Sequence, residues 1–157
     1  MRESIGNSLL LYLVVIFSGV VILFFVGIIS YSKAYRVKNR IVDVIEKYNG
    51  YTTGENSAES EINASLSEMG YTITNSDFCN GSSVQNHLKN ISESFVLKNN
   101  PTSGYNYCVY EISDKSSSNT KYYVVVTFVN FNFPIIGSML NIPIYGETKI
   151  LGKSYNY

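Results

Sequence analysis

Few side chains in this sequence could do chemistry. His87 is the single histidine, which excludes a histidine-based metal cluster and leaves a Ser-His-Asp arrangement poorly supported. A polar position on a helix surface accounts for it. Glu55, Glu59, Glu61 and Glu68 are the carboxylates that could be imagined as an acid cluster. Acid–base catalysis needs two carboxylates whose environments push their pKa values apart. Glu61 and Glu68 lie seven residues apart and could share a helix face, yet a solvated face explains them more simply. Gly104 and Gly137 stand alone, so no phosphate-cradling loop is present. No nucleophile stands out among the serines. The expectation is a protein that is not an enzyme, with no cofactor, no metal and no small-molecule substrate.

Cys79 and Cys108 are the only cysteines, with twenty-eight residues between them. Two readings are open. In an extracytoplasmic domain they could form a disulfide, contributing about 3–4 kcal/mol by loop closure. Otherwise they are two buried thiols, which the strand position of Cys108 would suit. Asn63, Asn80 and Asn90 each open an Asn-x-Ser triplet. In so Asn-rich a chain such matches arise by chance.

The elements that must position these groups start with an apolar run. Leu9 to Ile29 carries no charged residue. Twenty-one residues at about 1.5 Å each span about 31 Å, the thickness of a bilayer core. A secretory signal core is shorter, about 7–15 residues. The run is therefore expected to be a retained transmembrane helix, behind a short tail of residues 1–8. From Ala34 the pattern becomes amphipathic. Ala34, Val37, Ile41, Val44, Ile45 and Tyr48 recur at helical spacing, with Lys and Arg between them. Neither Pro nor Gly interrupts the chain between Gly27 and Gly50. One continuous helix from Ser4 to Asn49 follows, its 30–49 half amphipathic, closed by Asn49-Gly50 as a left-handed cap.

Residues 50–157 form the remainder, one α+β domain with enough length for one core. Ser57 is the expected N-cap of a helix whose apolar stripe is Ala58, Ile62, Leu66 and Met69, ended by Gly70. Tyr71 to Thr74 reads as a short strand, and Asn75 to Ser83 as a loop. Val84 to Leu97 reads as a helix and Asn99 to Gly104 as a loop. Tyr105 to Ser113, Lys121 to Phe133 and Ile142 to Leu151 read as strands. The 114–120 segment is a hairpin-type connection, and Ile135 to Asn141 a turn or helical excursion. Along Lys121 to Phe133 the odd positions form a nearly continuous apolar face. The even ones change from apolar to polar, so one face would be buried throughout and the other in part. Three or four antiparallel strands then have a face to bury, and the Ala34–Tyr48 stripe is the obvious partner.

Charge divides unevenly. Residues 1–49 hold six Lys/Arg and three Asp/Glu, and residues 50–157 hold six and nine. The mild acidity of the domain argues against nucleic acid as a partner. Its Asn, Ser, Thr and Tyr suggest a polar, Tyr-rich surface. Orientation draws conflicting signals. Lys33, Arg36, Lys38 and Arg40 after the run favour a cytoplasmic domain by the positive-inside rule. The cysteine pair and the polar, lysine-poor domain favour the other side.

The entrance Arg2-Glu-Ser-Ile-Gly-Asn-Ser, the helix to Asn49, and the ending Phe131-Asn-Phe-Pro-Ile-Ile-Gly with Ile142-Pro-Ile-Tyr-Gly-Glu-Thr carry a resemblance. Together they resemble type IV pilins and pseudopilins, most closely the TadE-like minor pilins of tight-adherence pilus systems. The resemblance implies a bacterial, single-pass cell-membrane subunit with its C-terminal domain extracytoplasmic. It also implies partners among other pilin-like subunits and pilus assembly proteins. Pilins are cut after a Gly, which here would be Gly6, leaving Asn7 first. The fifth position would then be Leu11, where pilins carry a Glu that pairs with a neighbour's N-terminus. Gly19, Gly27 and Ser30 could allow close approach of partner helices. A membrane-anchored extracytoplasmic binding or sensory domain unrelated to pili is the alternative.

Overall fold

The longest element is α1, Arg2–Lys47, an uninterrupted helix of 46 residues. The computed structural model describes residues 2–71, 77–92, 94–99, 107–113, 120–131 and 140–152. Asn49, at φ 52°, and Gly50 close α1. Asn49 N–H donates to the Glu46 carbonyl at 3.2 Å and Gly50 N–H to that of Ile45 at 2.9 Å. These bonds satisfy carbonyls that a helix end leaves open.

Helix α2, Ala58–Glu68, begins as its sequence implies. The Ser57 hydroxyl accepts from Ser60 N–H at 3.3 Å and donates to the Gly54 carbonyl at 2.7 Å. Gly70, at φ 59°, ends it by the same kind of closure, with Tyr71 N–H on the Leu66 carbonyl at 2.9 Å. A single 3-10 turn, Asp77–Asn80, then carries Cys79 and leads into α3, Ser82–Ile91.

Four strands make one antiparallel sheet in sequential order: β1 Phe95–Leu97, β2 Tyr107–Ser113, β3 Lys121–Phe131 and β4 Leu140–Glu147. Tyr110 pairs with Val124 and Thr127 with Ile144, which sets the register. Beyond β4 the chain returns through Leu151, which bridges to Lys121. The α+β plan of a long N-terminal helix packed on an antiparallel sheet is the one expected.

The sheet is covered on both faces. Val37, Ile41, Val44 and Ile45 of α1, with Ile62 and Leu66 of α2, pack on Tyr107, Val109, Tyr123 and Val125. Ala34 extends this contact to Val129 and Ile144. On the opposite face, Cys79, Val84 and Leu88 cover Cys108, Tyr110, Ile112, Val124, Val126 and Phe128. Every described side chain of β3 from Tyr123 to Val129 is therefore buried. This agrees with the expectation for the apolar even positions: α3 covers Val124, Val126 and Phe128 and Tyr122 is half-buried, while the side chains of Asn130 and Asn132 lie outside the described residues.

Three expectations change. The helix expected over Val84–Leu97 stops at Ile91, and Phe95–Leu97 is an edge strand. Ser92 adopts extended dihedrals, and its hydroxyl bonds both the N–H and the carbonyl of Ser94, at 3.3 and 3.1 Å. Such local bonds compete with helical ones, and pairing with β2 secures the strand. The last strand ends at Glu147 rather than Leu151, because Thr148 takes a bond from the neighbouring strand through its side chain: Tyr123 N–H donates to Thr148 Oγ1 at 3.0 Å. The third concerns the tyrosines. Tyr107, Tyr110 and Tyr123 lie wholly inside, and Tyr51 and Tyr71 nearly so. The Tyr-rich surface is instead a Tyr-rich core. The Tyr71–Thr74 strand, the 114–120 connection and the Ile135–Asn141 excursion fall mostly outside the described residues; Tyr71 itself is not in a strand.

Candidate functional site

Two of the candidate catalytic residues, His87 and Glu61, take part in contacts between elements. The His87 ring stacks on Tyr145 with centroids 3.8 Å apart, fastening α3 to β4. Glu61 is a tie between helices: Arg40 Nη2 lies 3.2 Å from Oε1 and Lys47 Nζ 2.6 Å from Oε2. The Lys47 hydrogen bond, with the charges of Lys47 and Arg40, holds the Glu61 carboxyl below its ordinary range. Glu68 is exposed on the same helix, as are Glu55 in the turn before it and Asn80 at the end of the 3-10 turn. Among the described residues no three His, Cys, Asp or Glu side chains come together.

Cys79 and Cys108 are joined in a disulfide with Cα atoms 5.7 Å apart, and both are fully buried. The bond links the 3-10 turn to the start of β2. The Tyr110 hydroxyl donates to the Cys79 carbonyl at 2.5 Å and Gln85 Nε2 at 3.3 Å, so the turn is held from three sides.

Buried polar groups of the sheet are satisfied by distant side chains. Asn99 Oδ1 accepts from Val109 N–H at 2.8 Å, and its Nδ2 donates to the Tyr107 carbonyl at 2.5 Å. Asn99 thus continues β1 by a side chain along the edge of β2. Tyr71 accepts from Phe128 N–H at 3.1 Å and donates to Phe128 O at 3.2 Å. The Tyr107 hydroxyl lies 3.4 Å from that of Tyr51 and donates to Asn63 Oδ1 at 3.3 Å. Burial pushes Tyr71, Tyr107 and Tyr110 up to about 12, and Tyr51 upward as well. Burial also pushes Glu111 up, but hydrogen bonds from Tyr123 and Lys121 and the charges of Lys121 and Lys98 outweigh it, so its carboxyl sits low. None of these tyrosine and asparagine roles is visible in the sequence, because each partner lies eight or more residues away along the chain.

What remains open is α1 below the domain. From Leu9 to Ile29, seventeen large apolar side chains are exposed. Covering each would release on the order of 1 kcal/mol or more, a total comparable to or above the about 5–15 kcal/mol that holds a domain folded. Among the described residues this is the one helix long and apolar enough to cross a membrane. Gly6 and Asn7 lie within its helical backbone. Gly19 has open space around it. Gly27 and Ser30 are half-buried and continue the Ala34–Val37–Ile41 stripe downward, on the face the domain covers.

The junction engages Lys33, Lys38 and Arg40 of the basic residues that follow the run. Lys33 Nζ donates to the Gly70 carbonyl at 2.6 Å, at the C-terminus of α2. Lys38 lies over the Tyr35 ring at 4.1 Å and runs along Gly146, where a Cβ would meet its Cδ at 2.7 Å. Arg40 bonds Ser65 Oγ at 3.2 Å as well as Glu61. On the far side Lys149 N–H donates to Glu46 Oε1 at 2.8 Å, and that hydrogen bond chiefly holds Glu46 low. Thr127 Oγ1 donates to the Ala34 carbonyl at 3.1 Å. The arrangement holds α1 against the domain through side-chain hydrogen bonds from both partners. Compared with protein-family models, curated proteins and solved structures, the chain matches none of them.

Proposed function

We propose that this protein is a non-enzymatic, single-pass membrane subunit built on the pilin plan. Residues 9–29 cross the bilayer, and the disulfide-bonded domain stands outside the cytoplasm. Its partners are other pilin-like subunits, packed helix to helix. One observation carries the reading: a bare apolar half-helix runs unbroken into a half-helix that is the spine of the core. A flexible tether would separate anchor and domain; this junction makes their orientation common. The buried Cys79–Cys108 bond favours an oxidising compartment. The basic residues that argued for the cytoplasm lose much of that weight, because Lys33, Lys38 and Arg40 serve the helix–domain seam.

A second reading is favoured by Leu11. The apolar run carries no acidic residue, so the charge pairing used in pilin polymerisation lacks its carboxylate here. A rigidly anchored extracytoplasmic binding or sensory domain meets that observation equally well. Both readings share the orientation, which one experiment tests. Ile150 is exposed, and an Ile150→Cys variant adds a surface thiol. Labelling by a membrane-impermeant maleimide on intact cells supports the placement; labelling only after lysis rejects it. Single cysteines stepped through residues 12–29 then separate the two readings. Oxidative crosslinks between copies or with pilin-like neighbours, recurring every three to four positions, support an assembly subunit. A chain that stays monomeric at every position supports the plain anchor.

A further inference from the structure

The end of the apolar run and the foot of the domain enclose an open groove of about 530 Å³. Ile28, Ile29, Ser32, Lys33, Arg36 and Met69 line it. The first five lie on α1 at i, i+1, i+4, i+5 and i+8, which is one face of a helix. Met69, the C-cap of α2, closes the far side. The wall nearer the run is apolar: Ile28 is 50% exposed and Ile29 66%. The other end is basic. Lys33 gives one of its three donors to Gly70 and keeps two. Arg36 is exposed and has no ion pair among the described residues, unlike Arg40 one turn further on. Among the described residues no acidic side chain lines the groove.

Height selects the occupant. Along α1, Lys33 and Arg36 stand about 6 and 10 Å above Ile29. The headgroup layer of a bilayer is about 5–8 Å deep on each side. Lys33 therefore falls within it, and Arg36 reaches back into it by the length of its side chain. An apolar wall below and two cations above match an anionic amphiphile in both parts. Resting on the transmembrane reading of residues 9–29, we propose that this groove holds one anionic phospholipid. Its phosphate sits on Lys33 and Arg36, its acyl chain follows Ile28 and Ile29, and Met69 makes an adaptable apolar contact. The lipid would set the depth of the rod and the height of the domain above the membrane.

The test uses the full chain in nanodiscs of mixed phosphatidylcholine and phosphatidylglycerol, with retained lipid counted by native mass spectrometry. Each basic residue at an anionic surface is worth about fivefold in association. Wild type should retain phosphatidylglycerol over phosphatidylcholine, and Arg36→Gln should lower that preference about fivefold. Arg36→Lys should keep most of it. Equal retention of both lipids by wild type, or an unchanged preference in Arg36→Gln, overturns the proposal. Displacement of the lipid by soluble glycerol phosphate at matched concentration overturns the lipid assignment in favour of a general anion site. Crosslinking of copies through Met69→Cys in the same discs overturns it in favour of a subunit contact. Release of wild type from membranes by carbonate would remove the transmembrane reading and this one with it. Retention without lipid preference removes this one alone.

Discussion

At the scale of single residues, the domain is held by polar side chains that serve distant backbone. Asn99 is the sharpest case, because one buried amide satisfies two backbone groups of β2. Asn99→Ala should cost about 1–3 kcal/mol, since an unpaired buried polar group bears its desolvation penalty; urea unfolding of the detergent-solubilised chain measures it. The tyrosines make a second case. Their ordinary value is 10, and Tyr71, Tyr107 and Tyr110 are raised to about 12 in the folded state. A raised folded value means full stability below pH 10 and progressive loss as pH climbs from 10 towards 12. Tyrosinate absorbance should therefore rise in two steps, the exposed rings gradually and the buried ones together with unfolding. Gradual titration of all rings would show the buried set to be open to solvent. The carboxylates act with opposite sign. Glu46, Glu61 and Glu111 sit below their ordinary 4.5. Their contribution is present above about pH 4.5 and fades as pH falls through their lowered values.

At the scale of elements, the helix, the sheet and the disulfide are coupled at few points. Ile41 is wholly buried between α1 and the sheet. Ile41→Ala should destabilise the domain by about 2–5 kcal/mol through lost contacts and a cavity, read as a shift of the chemical-denaturation midpoint. The disulfide closes a loop of 29 residues. Replacing both cysteines by serine should cost about 3–4 kcal/mol by loop entropy, and a thiol reductant under mild denaturation should reproduce that loss. Much of this layer was legible along the chain. The 3.6-residue stripe of α1 and its Asn49-Gly50 cap, the Ser57 cap of α2 and the core of β3 each show one dominant period or one specific terminus. Phe95–Leu97 did not, because three apolar residues satisfy a helix or a strand alike. Its pairing with β2 chose between them.

At the scale of the whole molecule, one helix joins an exposed apolar half to a half that packs in the core. Everything from Ala34 to Tyr48 that packs on the sheet lies above the apolar run. Removing residues 1–29 should therefore leave a soluble, disulfide-bonded domain whose melting temperature matches that of the full chain in detergent. A broad, non-cooperative melt would show instead that the apolar half contributes to folding. Taken by itself, the sequence determined the membrane-length run, the amphipathic continuation and the α+β plan. Those depend on local periodicity and on how many apolar residues stand in a row. Only the tertiary structure decided that the tyrosines face inward, that α3 buries the second face of β3, that the cysteines meet, and that most cations after the run bind the domain. Tyr, Lys and Arg are apolar along their length and polar at the tip, so their place depends on which backbone carbonyl, carboxylate or ring the fold brings within reach.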